Sequence, residues 1–341
     1  MKQYMIETVH LNDWLTAIIN SVQRVLAPVK DGQRVYFRPV TSANAVDYEG
    51  QTTTESVKEA SFPRTEELFS YHKSGKDVSV AEVPDGEYPE TVVWRARPCD
   101  AAGFSPLDAI FNWDYKDAVY NRRRNKLTIV TFSCTSADEF CFCTSVGGGP
   151  GNKAGSDLFV TDLQNGSFLI EVLTEKGQEL IKKSSVSFQE VTGSFAEEKE
   201  AAIVKLPIRF SKEEVHRHLE HAFKSKIWKE QSARCLGCGA CAFVCPTCAC
   251  FDIQEKNEGS KGARLRCWDS CGFSLFTMHT GGYNPRPTQQ TRWRQRILHK
   301  FSYMPDRLQV FGCTGCGRCS RACPVEMDIA EHLTSIAAYH E

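Results

Sequence analysis

A cysteine pattern that occurs twice constrains this chain more than any other feature. The first copy is Cys235-Leu-Gly-Cys238-Gly-Ala-Cys241-Ala-Phe-Val-Cys245-Pro246, and the second is Cys313-Thr-Gly-Cys316-Gly-Arg-Cys319-Ser-Arg-Ala-Cys323-Pro324. Both read C-x2-C-x2-C-x3-C-P. A four-iron cubane needs four thiolates converging on a small cage. Three thiolates spaced two residues apart wrap a tight loop around three corners, and the glycines between them let the backbone approach closely. The fourth cysteine, a helical turn further on, points away and in two-cluster proteins ligates the other cluster. The spacing therefore predicts one 4Fe–4S cluster on Cys235, Cys238, Cys241 and Cys323, and a second on Cys313, Cys316, Cys319 and Cys245. Pro246 and Pro324 would redirect the chain after each fourth ligand. Structural zinc, the alternative, takes a C-x2-C pair with a distant second pair, not two matched runs closed by proline.

Sixteen cysteines in 341 residues need a chemical reason. The start of the chain lacks a basic segment followed by an apolar core, so no export signal is read. A reducing cytoplasm is then expected, which disfavours disulfides. No apolar run approaches the length of a membrane helix, and a net charge of −1 provides no general attraction for nucleic acid. Eight cysteines lie outside the paired motifs. Cys248 and Cys250 follow in CPTCACFD, and Cys267 and Cys271 in RCWDSC. They can build a third metal site or serve as small buried residues. Cys99, Cys134, Cys141 and Cys143 form a separate set after two strand-like segments, where sites in α/β sheets gather. These four can hold a further cluster, or be two buried thiols and a reactive pair.

Residues 1–205 read as an α/β domain. Arg34–Val40, Thr91–Ala96 and Lys126–Phe132 are short, β-branched and aromatic, as strands are. Asp157–Leu163 and Ser167–Leu173 flank Gln164-Asn165-Gly166, a hairpin signal. Pro106–Tyr120 and Thr174–Lys183 read as helices, residues 41–60 as a polar loop and 185–210 as a connector. Ser211 and Glu214 open a helix by the capping-box pattern, and Val215, Leu219, Phe223 and Ile227 recur on one face. Its His216, His218 and His221 are expected on a solvated face rather than on a metal. Val325–His340 is helical in pattern. The separation of the two motifs, which begin at Cys235 and Cys313, implies a helical ferredoxin-like domain over 206–341 with an insertion at 247–312. The fold class expected is α+β: an N-terminal α/β domain followed by an α-helical ferredoxin-like domain.

The run Gly147-Gly148-Gly149-Pro150-Gly151 lacks the lysine-hydroxyl pair of a phosphate loop and is read as a flexible loop. Asn284–Lys300 carries Arg286, Arg292, Arg294, Arg296 and Lys300 around Trp293. A solvated or partner-docking surface is expected there, and positive charge near a cluster would also raise its potential.

The combination CLGCGACAFVCPTCACFD, WDSC, GGYNPRPTQQTRWRQRILHKF and GCTGCGRCSRACPVEMDI resembles the iron–sulfur β subunit of NAD(P)-linked nickel–iron hydrogenases (sulfhydrogenases) and, equally, the corresponding iron–sulfur component of anaerobic sulfite reductase. FPRTEELF, RPCD and CFCTSVGGGP extend the resemblance over nearly the whole chain. It implies an electron relay between two partner subunits, one flavin-binding and NAD(P)H-reactive, the other a catalytic metal enzyme. The eight paired-motif cysteines match the family's ferredoxin-type ligands, and Cys99, Cys134, Cys141, Cys143, Cys248, Cys250 and Cys271 fall in family-like motifs. Cys267 departs from the pattern and is not expected to ligate. The rival reading is a catalytic reductase with a special cluster at one of the extra cysteine sets. Zinc-dependent nucleic-acid binding ranks behind both.

Overall fold

The computed structural model describes residues 2–49, 52–84, 87–184 and 186–338. Its strands are β1 (Gln3–Glu7), β2 (Arg24–Asp31), β3 (Arg34–Pro39), β4 (Thr65–Ser74), β5 (Asp77–Glu82), β6 (Thr91–Ala96), β7 (Leu127–Phe132), β8 (Leu158–Asp162), β9 (Ser167–Val172), β10 (Gln189–Val191), β11 (Phe251–Glu258) and β12 (Lys261–Trp268). Eight of them form a mixed sheet in the order β10-β1-β9-β8-β7-β6-β2-β3. Its centre, β2, β6, β7 and β8, is parallel. β6 and β7 read as near-continuous apolar runs because both of their faces are covered. Helix Leu11–Ser21 packs Trp14, Leu15 and Ile18 on one face, where Trp14 meets Trp94 edge-on at 4.8 Å. Helix Phe104–Phe111 packs Phe104, Leu107 and Phe111 on the other. Val92 and Trp94 enter one core and Val93 the other, the period of two expected of a strand, and an irregularity at Arg95, with φ of 59°, then turns Ala96 to the Val93 side.

The strands and the hairpin read from the sequence are present, with β8 and β9 antiparallel. In the hairpin turn the left-handed residues are Gln164 and Gly166, while Asn165 acts through its side chain, whose Oδ1 accepts from the Ser167 N–H. The helix expected over 106–120 is instead two helices, Phe104–Phe111 and Ala118–Asn125. Asp117 makes the break, because its Oδ1 caps the second helix by accepting from the Tyr120 N–H at 2.8 Å. The connector 185–210 contributes β10 to the sheet edge and a helix at Ala196–Ala202. The loop 41–60 includes a helical turn, Val57–Ala60, that turns Lys58 inward.

In the second half, helix Lys212–His221 begins as expected, with Ser211 Oγ accepting from the Glu214 N–H. It buries Val215 and Leu219 but ends before Phe223, which is 49% exposed beneath the Arg294 guanidinium. Ile227 is buried from a separate helix, Ile227–Gln231. His216 and His218 do not face solvent freely; their Nδ1 atoms lie 2.8 and 2.9 Å from the carbonyls of Phe301 and Ile336. The last helix spans Ile329–Ala337, capped by Asp328; the end of the helical stretch expected there, at Tyr339 and His340, lies outside the described residues. The segment 247–312 contains the β11–β12 hairpin, which joins β4 and β5 in a four-stranded antiparallel sheet ordered β11-β12-β4-β5. Buried Arg266 of β12 ties that sheet together through Glu66 of β4 at 2.6 Å. Among the described residues, no helix is long and apolar enough to cross a membrane.

Candidate metal centre

Each cysteine motif is a loop running into a single short helical turn, Ala240–Phe243 or Arg318–Arg321. Gly239 and Gly317 precede those turns with φ of 75° and 69°, in the left-handed region that suits glycine. Cys235, Cys238 and Cys241 line one cavity, and Cys323 reaches the same cavity from the second motif. Cys271 and Cys319 also border it. Around Lys300 gather Cys245 and Cys313, and the charges of Cys245, Cys313 and Cys316 act on Cys319. The fourth cysteine of each motif thus stands beside the first three of the other. Among the described residues, no three His, Cys, Asp or Glu side chains close tightly enough for a single metal ion. The fit to a cluster therefore rests on the donor chemistry, four sulfurs to each group, and on loops that glycine lets fold closely.

Buried cations converge on these sulfurs, contrary to the solvated surface expected of residues 284–300. Arg296 is 5% exposed and Lys300 4%. Arg296 donates to the Cys241 carbonyl at 3.0 Å and approaches Cys248 Sγ at 3.6 Å. Lys300 Nζ lies 3.4 Å from Cys245 Sγ and donates to Thr247 Oγ1 and the Gly312 carbonyl. Lys58, also buried, donates to the carbonyls of Ala242 and Cys248. Arg292, Arg296 and Lys300 recur every four residues, so they share one helix face, and that face meets the thiols. Hydrogen bonding with Cys248, reinforced by Lys300 and Arg296, holds the Cys245 thiol well below its ordinary pKa despite burial. Burial lowers the pKa of Lys300, but the neighbouring Cys245 and Cys248 outweigh it and leave the ammonium strongly protonated. Gln289 Nε2 lies 3.0 Å from Cys235 Sγ.

The remaining thiols fall into two groups. Cys248, Cys250 and Cys271 line a cavity of about 330 Å³ with Arg296, His299 and Lys300. There Cys250 and Cys271 share a hydrogen bond that lowers the pKa of Cys271 and raises that of Cys250. Cys99, Cys134, Cys141 and Cys143 collect at the carboxyl ends of β6 and β7. Cys267 sits within β12, paired in register with Asp252 and Thr65. The glycine run is anchored against the third loop cysteine, with the Gly148 N–H donating to the Cys143 carbonyl at 2.9 Å.

Sequence reasoning missed Lys58, Gln289, Arg97, Arg318 and Arg321. Arg318 and Arg321 occupy spacer positions of the second motif, yet Arg318 is buried in an ion pair with Asp100 at 2.8 Å. Arg321 pairs with Asp138 at 2.6 Å. The four-residue recurrence of Arg292, Arg296 and Lys300 was a readable signal. Lys58 carried none, because only the tertiary fold brings it to the thiols.

A 4Fe-4S dicluster domain profile matches residues 234–327. The chain is 32% identical to sulfhydrogenase 2 subunit beta of Pyrococcus furiosus over 324 residues, covering 93% of each protein. It is 22% identical over 175 residues to the F420-dependent formate dehydrogenase subunit beta of Methanocaldococcus jannaschii, covering 49% of this chain and 38% of that one.

Proposed function

The chain belongs to the sulfhydrogenase β-subunit family, and from that premise we propose that it relays electrons in the cytoplasm between two partner subunits, one flavin-binding and NAD(P)H-reactive, the other a catalytic metal enzyme. That it is an iron–sulfur electron-transfer subunit follows from the dicluster domain and from relatives that are themselves subunits. The finer reading assigns Cys235, Cys238, Cys241 and Cys323 to one 4Fe–4S cluster. It assigns Cys313, Cys316, Cys319 and Cys245 to the other, in a helical ferredoxin-like arrangement of 206–341. When bound, such clusters supply one-electron iron redox chemistry. The protein's own part is to hold the sulfurs, keep water away and set the potential. Gln289 and Lys300 do the last by placing donors on Cys235 and Cys245. The observation that carries the reading is Cys323 lining the cavity of Cys235, Cys238 and Cys241. Adjacent, cross-linked centres suit onward transfer of an electron.

The test is iron and acid-labile sulfide per chain on anaerobically purified protein, together with reduction by NAD(P)H in the presence and absence of the flavin subunit. At least about eight irons are expected, two four-iron cages, reducible only when the flavin subunit is present. Zinc in place of iron would sink the reading.

One observation favours a second reading, a catalytic reductase. The cavity of Cys248, Cys250 and Cys271 offers three thiols, one short of a complete cubane, beside His299. A four-iron group held there would keep an open position for a substrate. Cyanide or carbon monoxide altering one EPR signal, and the Cys271→Ser variant abolishing that response, would establish it.

A further inference from the structure

We propose that Cys99, Cys134, Cys141 and Cys143 together ligate an additional iron–sulfur cluster, set between the carboxyl edge of the central parallel strands and the second motif loop. The proposal rests on the relay reading and extends the relay into the sheet.

Topology supplies the convergence. Cys99 lies in the first turn of helix Pro98–Ala102, which follows β6 directly, and Cys134 stands two residues beyond β7. β6 and β7 are parallel neighbours, so the two cysteines leave the sheet side by side. The loop from Cys134 then returns Cys141 and Cys143 to the same place. Its backbone is tied down at each cysteine. The Cys134 N–H donates to the Pro150 carbonyl at 3.0 Å, and its carbonyl accepts from the Val204 N–H at 3.0 Å. Arg209 donates to the Cys141 carbonyl at 3.1 Å, and the Gly148 N–H to that of Cys143 at 2.9 Å. Cys99 and Cys134 lie in each other's field, and Cys143 feels both Cys134 and Cys141.

Charge distinguishes this group from buried thiols that merely fill space. An inert thiol packs among apolar neighbours and attracts no cation. Here the Arg97 guanidinium reaches Cys134 Sγ at 3.6 Å, and that of Arg321 reaches Cys141 Sγ at 3.5 Å. Fully buried Arg318, ion-paired with Asp100, acts on Cys99 and Cys316 together, and at Cys99 the Asp100 carboxylate opposes it more strongly. Guanidinium donors on sulfur stabilise thiolate and the charge of a thiolate-ligated cage.

Position gives the group its role. The Phe142 N–H, between Cys141 and Cys143, donates to the Gly315 carbonyl of the second motif at 2.9 Å. A Cβ at Gly315 would lie 2.5 Å from the Cys143 Cα, so the two loops touch at backbone distance. Arg321, itself in the second motif, spans to Asp138 and Cys141. One electron from the reduced second-motif centre would convert one ferric iron to ferrous here and leave by the reverse change, with no bond made or broken.

The test uses the full chain, purified anaerobically, with iron and sulfide counts and a potentiometric EPR titration. The wild type is expected to carry about four irons more than the eight of two ferredoxin-type cubanes. The double variant Cys134→Ala/Cys141→Ala is expected to lose about four irons and one EPR signal, a different signal from those lost in Cys319→Ser. Arg97→Gln, which leaves every sulfur in place, is expected to keep the iron and shift the potential of that same signal downward. A wild type with only about eight irons overturns the proposal while leaving the relay reading intact. So does a double variant that keeps the full iron count, a zinc ion released by it, or an Arg97→Gln shift that falls on another signal. A wild type without iron defeats the relay reading and this one together.

Discussion

Lys300 shows what single residues contribute here. A buried ammonium is costly unless paired and hydrogen-bonded, and its partners are Cys245 Sγ, Thr247 Oγ1 and the Gly312 carbonyl. A cation so placed stabilises the reduced, more negative state of whatever Cys245 ligates. Lys300→Met is therefore expected to make that potential more negative by on the order of 60 mV, a tenfold change in a one-electron equilibrium. Redox titration followed by EPR checks it, and an unchanged or raised potential would remove Lys300 from the tuning set. Its neighbour His299 behaves oppositely. Burial, with help from Lys300, lowers the imidazole pKa from 6.5 to about 4. The folded state thus prefers the neutral ring. The stability this contributes is present above about pH 6.5 and is lost as pH falls toward about 4, at most about 3 kcal/mol. Urea unfolding at pH 7 and pH 5 is expected to show the loss, and His299→Gln to flatten that part of the profile.

Among the elements, the contact between the second motif loop and the Cys141–Cys143 loop decides most. Gly315 combines a φ of 66° with backbone 2.5 Å from where a Cβ would stand. Alanine there meets both the left-handed strain, about 1–2 kcal/mol, and a clash that only loop separation relieves. Gly315→Ala is expected to lower stability by at least that amount and to reduce iron retention. Thermal unfolding and iron analysis of the purified variant measure both, and a variant matching the wild type in each would show that the loops are not held in contact. The helix Gln289–Leu298 matters differently. It runs on through a wider turn, His299–Tyr303, to Met304–Leu308. Such wide turns recur at functional sites, and here it holds Lys300 against Cys245.

At the scale of the molecule, the sheet and the dicluster segment are joined by a buried ion pair and a shared sheet. Arg318 and Asp100, fully buried, link the second motif to the helix after β6 at 2.8 Å. Removing one partner of such a pair strands the other and costs about 3–5 kcal/mol. Asp100→Ala is expected to show that loss in chemical denaturation. A loss below about 1 kcal/mol, the value of an exposed pair, would mean the guanidinium reaches solvent in solution. The hairpin β11–β12 pairing with β4 makes a second tie.

The dicluster segment, through its two cysteine motifs, and most strands of the large sheet were legible in the chain itself, because both signals are local. Cluster loops need sulfur at fixed short spacing, and buried parallel strands need largely apolar, β-branched runs such as Leu127–Phe132. The break at Asp117 was legible in kind, since aspartate is a good helix cap, but the apolar period of the preceding helix masked it. What only the tertiary structure decided is which charges meet the sulfurs. Lys58 reaches the Cys248 carbonyl across the fold, and Arg97 and Arg321 reach Cys134 and Cys141 from separate elements. A positive side chain reads as solvated in any local window. Its burial is set by long-range partners that neutralise it, and those partners are assembled only when the sheet edge and the two motif loops close on one another.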